Sequence, residues 1–305
     1  RGNDGTYAVV ANGGTDYGPF DADVTVITGR GPLTVALNDG TSFSGVGLTG
    51  RVSQTAAGPF AGQILANGSG ITGRIDLAAF EGKQRALVDA TARDTSLAGK
   101  IGLTINRATL KGEAILYDQP QITGDVQVAG ARLGEFYLAG ARANVNYRGG
   151  SGQAKLLAEG RTRYPFRLAA NAELAPSLWR VALTGKLNGI DVATRGPMRI
   201  VPAKDGYVLQ PATMGVDRGT LQLAGRYGGG MAVQARLKDV NLAIANPFAP
   251  GLGLGGMASG SLDFTQASAD AFPSADMRFQ IDDFTRTSLA AVSEPVDIAL
   301  VGRLV

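Results

Sequence analysis

Hydrophobic and polar residues alternate along most of this chain. In Ile71-Thr72-Gly73-Arg74-Ile75-Asp76-Leu77 the odd positions are apolar or Gly and the even ones are polar. Ile122-Gly124-Val126-Val128 against Thr123, Asp125 and Gln127 repeats the pattern, as does Leu97-Gly99-Ile101-Leu103-Ile105 against Lys100, Thr104 and Asn106. A period of two predicts β-strands with one apolar and one polar face. A finer signature sits inside it. Nine times a Leu or Ile is followed two residues later by Gly and then by a charged residue, starting at Ile27, Leu48, Ile71, Leu97, Leu110, Ile122, Leu183, Leu223 and Leu300. Composition alone predicts roughly one such match. The Gly falls on the apolar face within the strand, which predicts a sheet bent at a repeated place.

Turn chemistry separates the alternating runs. Asn12-Gly13-Gly14, Asn38-Asp39-Gly40, Asn67-Gly68-Ser69-Gly70, Gly149-Gly150-Ser151-Gly152, Asn188-Gly189 and Gly228-Gly229-Gly230 are read as hairpin tips, where left-handed backbone is common. After Gly140 the apolar phase shifts to Ala141, Ala143, Val145 and Tyr147, which reads as a bulge. Helical periodicity is nearly absent. Lys83 to Arg93 fits a helix or a strand. Asn and Pro stops in Val240–Pro250 predict a short helical turn near 240–246, one of at most one or two.

Composition sharpens this picture. Gly accounts for 44 of 305 residues, about twice the usual share. Aromatic residues make up only 7%, with Trp179 the single Trp, so the apolar face has few large anchors with which to pack a second layer. No linker or charge block divides the chain. Residues 1–305 are therefore read as a single elongated domain of β-repeats, in which each strand contacts only its neighbours. About 24 strands at roughly 4.8 Å each give an axis on the order of 110 Å. The chain opens at Arg1 and ends in a strand pattern, so a fragment of a longer protein is expected.

Candidate chemistry is sparse. There is no Cys and no His, which removes disulfides, thiolate sites and the commonest general base. Gly-x-Gly-x-x-Gly occurs at Gly45-Gly47-Gly50, Gly68-Gly70-Gly73 and Gly251-Gly253-Gly256, but no helix is predicted after any of them to hold a phosphate. Asp21/Asp23 and Asp282/Asp283 read as solvated faces rather than calcium sites. Arg161-Thr162-Arg163-Tyr164-Pro165-Phe166-Arg167 is the densest basic stretch and reads as a charged rim. The net charge of +3 is small for this length. No enzyme activity, cofactor, metal or nucleic-acid partner is expected.

What remains is the aliphatic face. Its expected lining is Leu48, Val52, Ile71, Ile75, Leu77, Leu97, Ile101, Leu103, Ile105, Ile122, Val126, Val128, Leu183, Leu187, Leu221, Leu223, Leu262, Phe264, Phe279 and Ile281. Large contiguous apolar surfaces are rarely left exposed unless they bind something. The fold expected is all-β: an elongated, curled antiparallel sheet forming a taco-like trough with an apolar groove.

The repeated Leu/Ile-x-Gly-charge strands, together with Asp239–Phe264, resemble the TamB-like members of the AsmA-like bridge-type lipid-transfer family. Asp239–Phe264 is similar to that family's recurring short helix, loop and "Leu-x-Gly…Gly-x-Leu" strand, with Pro273 where the next unit starts. The resemblance implies a non-enzymatic conduit in the periplasm of a Gram-negative bacterium. Phospholipid would be its cargo, and a TamA-like Omp85 outer-membrane protein its partner. An inner-membrane anchor would lie outside this chain. A secreted structural or adhesive β-solenoid is the alternative. An outer-membrane barrel fits less well, because aromatic girdles are missing.

Overall fold

The computed structural model describes all residues except 1, 4, 16–17, 98–101, 117–119, 248–250, 269, 288–290 and 305, and omits the side chains of 2 and 3. The chain is all-β and antiparallel. It divides into two compact units, Arg1–Gly152 and Gln153–Val305.

The first unit holds β1 (Gly2–Asn3), β2 (Thr6–Thr15), β3 (Gly18–Ile27), β4 (Thr34–Leu37), β5 (Ser42–Phe43), β6 (Val46–Gln54), β7 (Phe60–Gly68), β8 (Ile71–Phe80), β9 (Lys83–Ser96), β10 (Leu103–Leu116), β11 (Gln121–Leu133) and β12 (Phe136–Arg148). Successive strands pair, with β4 and β5 together filling one place between β3 and β6. Lys83 to Arg93, ambiguous in sequence, lies within β9. Its register with β8 sets Ala86, Val88, Ala90 and Ala92 opposite Leu77, Ile75, Gly73 and Ile71. That apolar match selects strand over helix.

Three expectations fail in this unit. Asn38-Asp39-Gly40 is no hairpin tip but joins β4 to β5, both of which pair with β3 and β6. Asn12-Gly13-Gly14 is no hairpin tip but lies within β2, opposite Asp21, Phe20 and Pro19. A Cβ on Gly13 would come within 2.8 Å of the Phe20 ring, so this Gly makes room for a cross-strand aromatic. The run Leu97 to Ile105 is not one strand. β9 ends at Ser96 and β10 begins at Leu103, with the Leu97 amide donating to the Leu103 carbonyl and Gly102 at φ 61°.

The phase shift expected at Gly140 is real but has a different cause. Register is unbroken along β11 and β12, so no residue is inserted between them. Instead one rung through β9, β10 and β11 lacks a ladder pairing, at Asp94, Asn106 and Gly130. Asp94 has φ 45° and Gly130 φ 71°. Burial follows the shift: Ala92 and Thr95 are buried while Arg93 and Asp94 between them are exposed. Left-handed backbone swaps the exposed phase while the register holds. An Asp tolerates this conformation where a β-branched residue does not. Asp94→Val is expected to cost about 1–2 kcal/mol and Asp94→Gly to be near neutral, as read from urea unfolding midpoints.

The second unit holds most of β13 (Ser151–Arg161), then β14 (Pro165–Ala175), β15 (Leu178–Leu187), β16 (Ile190–Thr194), β17 (Met198–Ala203), β18 (Gly206–Val216), β19 (Gly219–Gly228), β20 (Met231–Asn241), β21 (Leu254–Gln266), β22 (Ser274–Arg286) and β23 (Val296–Leu304). β16 and β17 share one place between β15 and β18. The ladders β18–β19, β20–β21, β21–β22 and β22–β23 carry register shifts, with Asp239 and Asp283 left-handed at φ 51° and 52°. The helical turn expected near 240–246 is a 3₁₀ turn, Leu242–Ala245. The basic stretch 161–167 forms the β13–β14 hairpin, closed by the Thr162 amide on the Tyr164 carbonyl.

Little is buried deeply. The chain exposes 18263 Å², against roughly 12,000 Å² for a compact monomer of its mass. A cluster of buried aliphatic side chains lies in the second unit, where Leu187, Val192, Val216 and Val240 meet beneath Ile244 of the 3₁₀ turn.

Candidate functional site

Antiparallel register places directly opposed residues on one side of a sheet, so the two faces can be followed strand by strand. In the first unit Leu48 faces Ala66, Ile64 faces Ile75, and Ile75 faces Val88. Farther on, Leu110 faces Val126 and Val126 faces Ala143. This face contains Leu48, Val52, Ile71, Ile75, Leu77, Ile122, Val126 and Val128. Leu103 and Ile105 lie beyond the left-handed rung, with Leu97 just past the end of β9. Ile101 falls outside the described residues. In the second unit Leu183, Leu187, Leu221, Leu223, Leu262, Phe264, Phe279 and Ile281 share a face by the same tracing.

The face is almost free of charge. From β2 to β12 no Asp, Glu, Lys or Arg occupies it among the described residues, and from β14 to β23 the single exception among them is Arg286, opposite Leu254 at the end of β22. Charges gather on the reverse side and pair there. Lys111–Asp89, Lys186–Asp191, Arg180–Glu173 and Arg303–Asp276 are direct cross-strand partners at 3.8, 2.6, 3.4 and 3.4 Å. Arg85–Glu113 at 2.7 Å and Arg236–Asp263 at 3.1 Å are diagonal ones. Such exposed pairs stabilise by about 0.2–1 kcal/mol each, so their role is mainly to keep that side wet.

The glycines of the repeated signature are not equivalent. Gly50, Gly73, Gly112, Gly124, Gly185, Gly225 and Gly302 lie in strands on the nearly uncharged face. Gly29 lies outside the strands, and Gly99 is outside the described residues. At Gly185 a Cβ would clash with the Arg167 carbonyl oxygen and lie 3.0 Å from Leu168 Cα of the neighbouring strand. At Gly124 it would meet the Val145 side chain at 3.4 Å and the Lys111 carbonyl oxygen at an ordinary 3.7 Å. One spacing therefore covers both obligatory and tolerant positions.

Register adds lining residues that sequence alone did not single out, among them Val35, Leu37, Ile64, Val88, Val181 and Ile200. Their signal was the same alternation, without the Gly-charge tag. Leu187 is on the expected face but is covered by the 3₁₀ turn.

No protein-family model, curated protein or solved structure matches this chain.

Proposed function

We propose that the nearly uncharged face of this protein carries lipid acyl chains, and that the protein is a passive conduit of the TamB-like, AsmA-like kind. On this reading it moves phospholipid through the periplasm between inner and outer membranes and works with an Omp85-type outer-membrane partner. The observation that carries the proposal is the near absence of charge on the traced faces, where among the described residues only Arg286 at the end of β22 is charged, while ion pairs line the other side. Transferring a 16-carbon acyl chain through water costs on the order of 10 kcal/mol, at about 0.8 kcal/mol per CH₂. A wall of Leu, Ile and Val removes most of that cost, and headgroups stay in water. No step needs a nucleophile or proton donor, in keeping with a chain that has neither Cys nor His. Antiparallel pairing of successive strands favours this reading over a solenoid, whose coils stack strands in parallel.

Photo-crosslinking tests it. A photoreactive residue at Val126 or Val128 is expected to yield phospholipid adducts, and one at Gln127 none. Equal labelling of the two faces, or none on either, overturns the proposal.

A further inference from the structure

The two margins of the second unit's nearly uncharged face are built differently. At one margin the segment 242–247 lies over the ends of the strands. Ile244 packs on Leu187, Val192, Val216 and Val240, of which Val216 is 0% and Val192 2% exposed. Every anchor of this strap is satisfied within the protein. The Asn241 side chain accepts from the Ala243 amide at 3.0 Å, and Asn188 donates to the Ala243 carbonyl at 3.4 Å. Thr162 donates to the Pro247 carbonyl at 2.9 Å. Asn246, 3% exposed, closes the following loop by donating to the Leu254 carbonyl and accepting from the Leu254 amide, both at 2.8 Å. A headgroup arriving here meets a closed apolar floor and no free donor on these groups.

The opposite margin is open and carries amphipathic rings. Tyr207 and Tyr227 are direct partners across β18 and β19, at the ends of those strands. They are 43% and 68% exposed, and among the described residues neither hydroxyl has a hydrogen-bond partner. Trp179, one rung farther in, lies against Tyr207 with ring centroids 5.1 Å apart. The β21–β22 connection on the same margin presents Phe272, 96% exposed. Rings with an apolar body and a polar tip suit a boundary between hydrocarbon and water.

We infer that this unit binds amphiphiles in one orientation, entering and leaving past Tyr207 and Tyr227, with the polar group at the phenols and the acyl terminus toward the strap. The inference rests on the lipid reading proposed above and adds a direction to it. The strap is a fixed wall, and the aromatic margin is the mouth.

Trp179, the single Trp, is a built-in depth probe. Phosphatidylcholines carrying a spin label near the glycerol backbone or near the chain terminus are loaded onto the purified protein, and quenching of Trp179 is compared. The backbone label is expected to quench Trp179 several-fold more strongly than the terminal one. In the double variant Trp179→Phe, Ile244→Trp the order is expected to reverse. If terminal labels quench Trp179 more, or both labels equally, the orientation is overturned while the lipid reading stands. If neither label quenches either protein, both fall. Circular dichroism of the double variant checks that the sheet is retained, and should it be lost, the native Trp179 comparison decides alone.

Discussion

Val126→Asp is expected to abolish lipid transfer while Gln127→Asp leaves it nearly unchanged. Val126 lies between Leu110 and Ala143 on the uncharged face, and Gln127 on the other side donates to Asp125 at 2.9 Å. An Asp at 126 has no cation on its own face to pair with, and an acyl chain passing over it must strip its water. Desolvating an unpaired carboxylate costs several kcal/mol, and each 1.4 kcal/mol is about tenfold in rate. Loss of about a hundredfold or more is the expected outcome in a vesicle-to-vesicle transfer assay with fluorescent phospholipid. On the proposed reading a chain moving along the first unit crosses each of its strands in turn, so one block suffices. Val126 is itself only partly buried, so the variant should still fold, which circular dichroism checks. Transfer at the wild-type rate by a folded Val126→Asp protein overturns the conduit.

Gly185→Val is expected to be among the most destabilising single changes in the chain. Its Cβ would clash with the Arg167 carbonyl oxygen and lie 2.9 Å from Leu168 Cδ2. Backbone cannot rotate aside as a side chain does, so β14 and β15 must separate locally and give up ladder hydrogen bonds. A cost of about 3 kcal/mol or more follows from overpacking and lost pairing together. Gly229→Val meets nothing within 4 Å and is expected to stay within about 0.5 kcal/mol of the parent. Gly124→Val should fall between, since Val145 can adjust. Urea unfolding followed by Trp179, on the same strand as Gly185, reads these differences. Equal midpoints for the 185 and 229 variants would falsify the close-approach argument.

The class of fold, the faces of most strands and the short turn at 242–245 were legible in the alternation, because a half-buried sheet leaves its period directly in the sequence. Signals resting on a single residue type were not. Asn12-Gly13-Gly14 has hairpin composition, yet Gly13 is small because Phe20 lies across from it, a fact that exists only once β2 and β3 are paired. Leu97–Ile105 alternates well enough for a strand, but β9 ends at Ser96 and β10 begins at Leu103, and local pattern cannot choose between extension and reversal. The backbone sign at Asp94, Asp239 and Asp283 left no compositional trace either, since Asp89 and Asp125 also stand in strands but with ordinary backbone. Among the candidate lining residues, Leu187 had the right face but lies beneath a wall. That cover comes from a segment more than fifty residues away, which alternation within β15 does not encode.

Strand order within each unit has a kinetic consequence. Each strand finds its partner in the strand just before it, and the few exceptions only bridge a split strand. Contacts are therefore close in sequence, the loops that must close are short, and the entropic barrier to pairing stays low for a β-protein. A hairpin has its docking edge ready as soon as the preceding hairpin is formed, so these sheets can grow in the order in which the chain emerges from a ribosome or a secretion channel. The same economy predicts a vulnerability: until the next strand arrives, the growing edge is an open template, and a stalled chain is the form most prone to pair with another copy of itself.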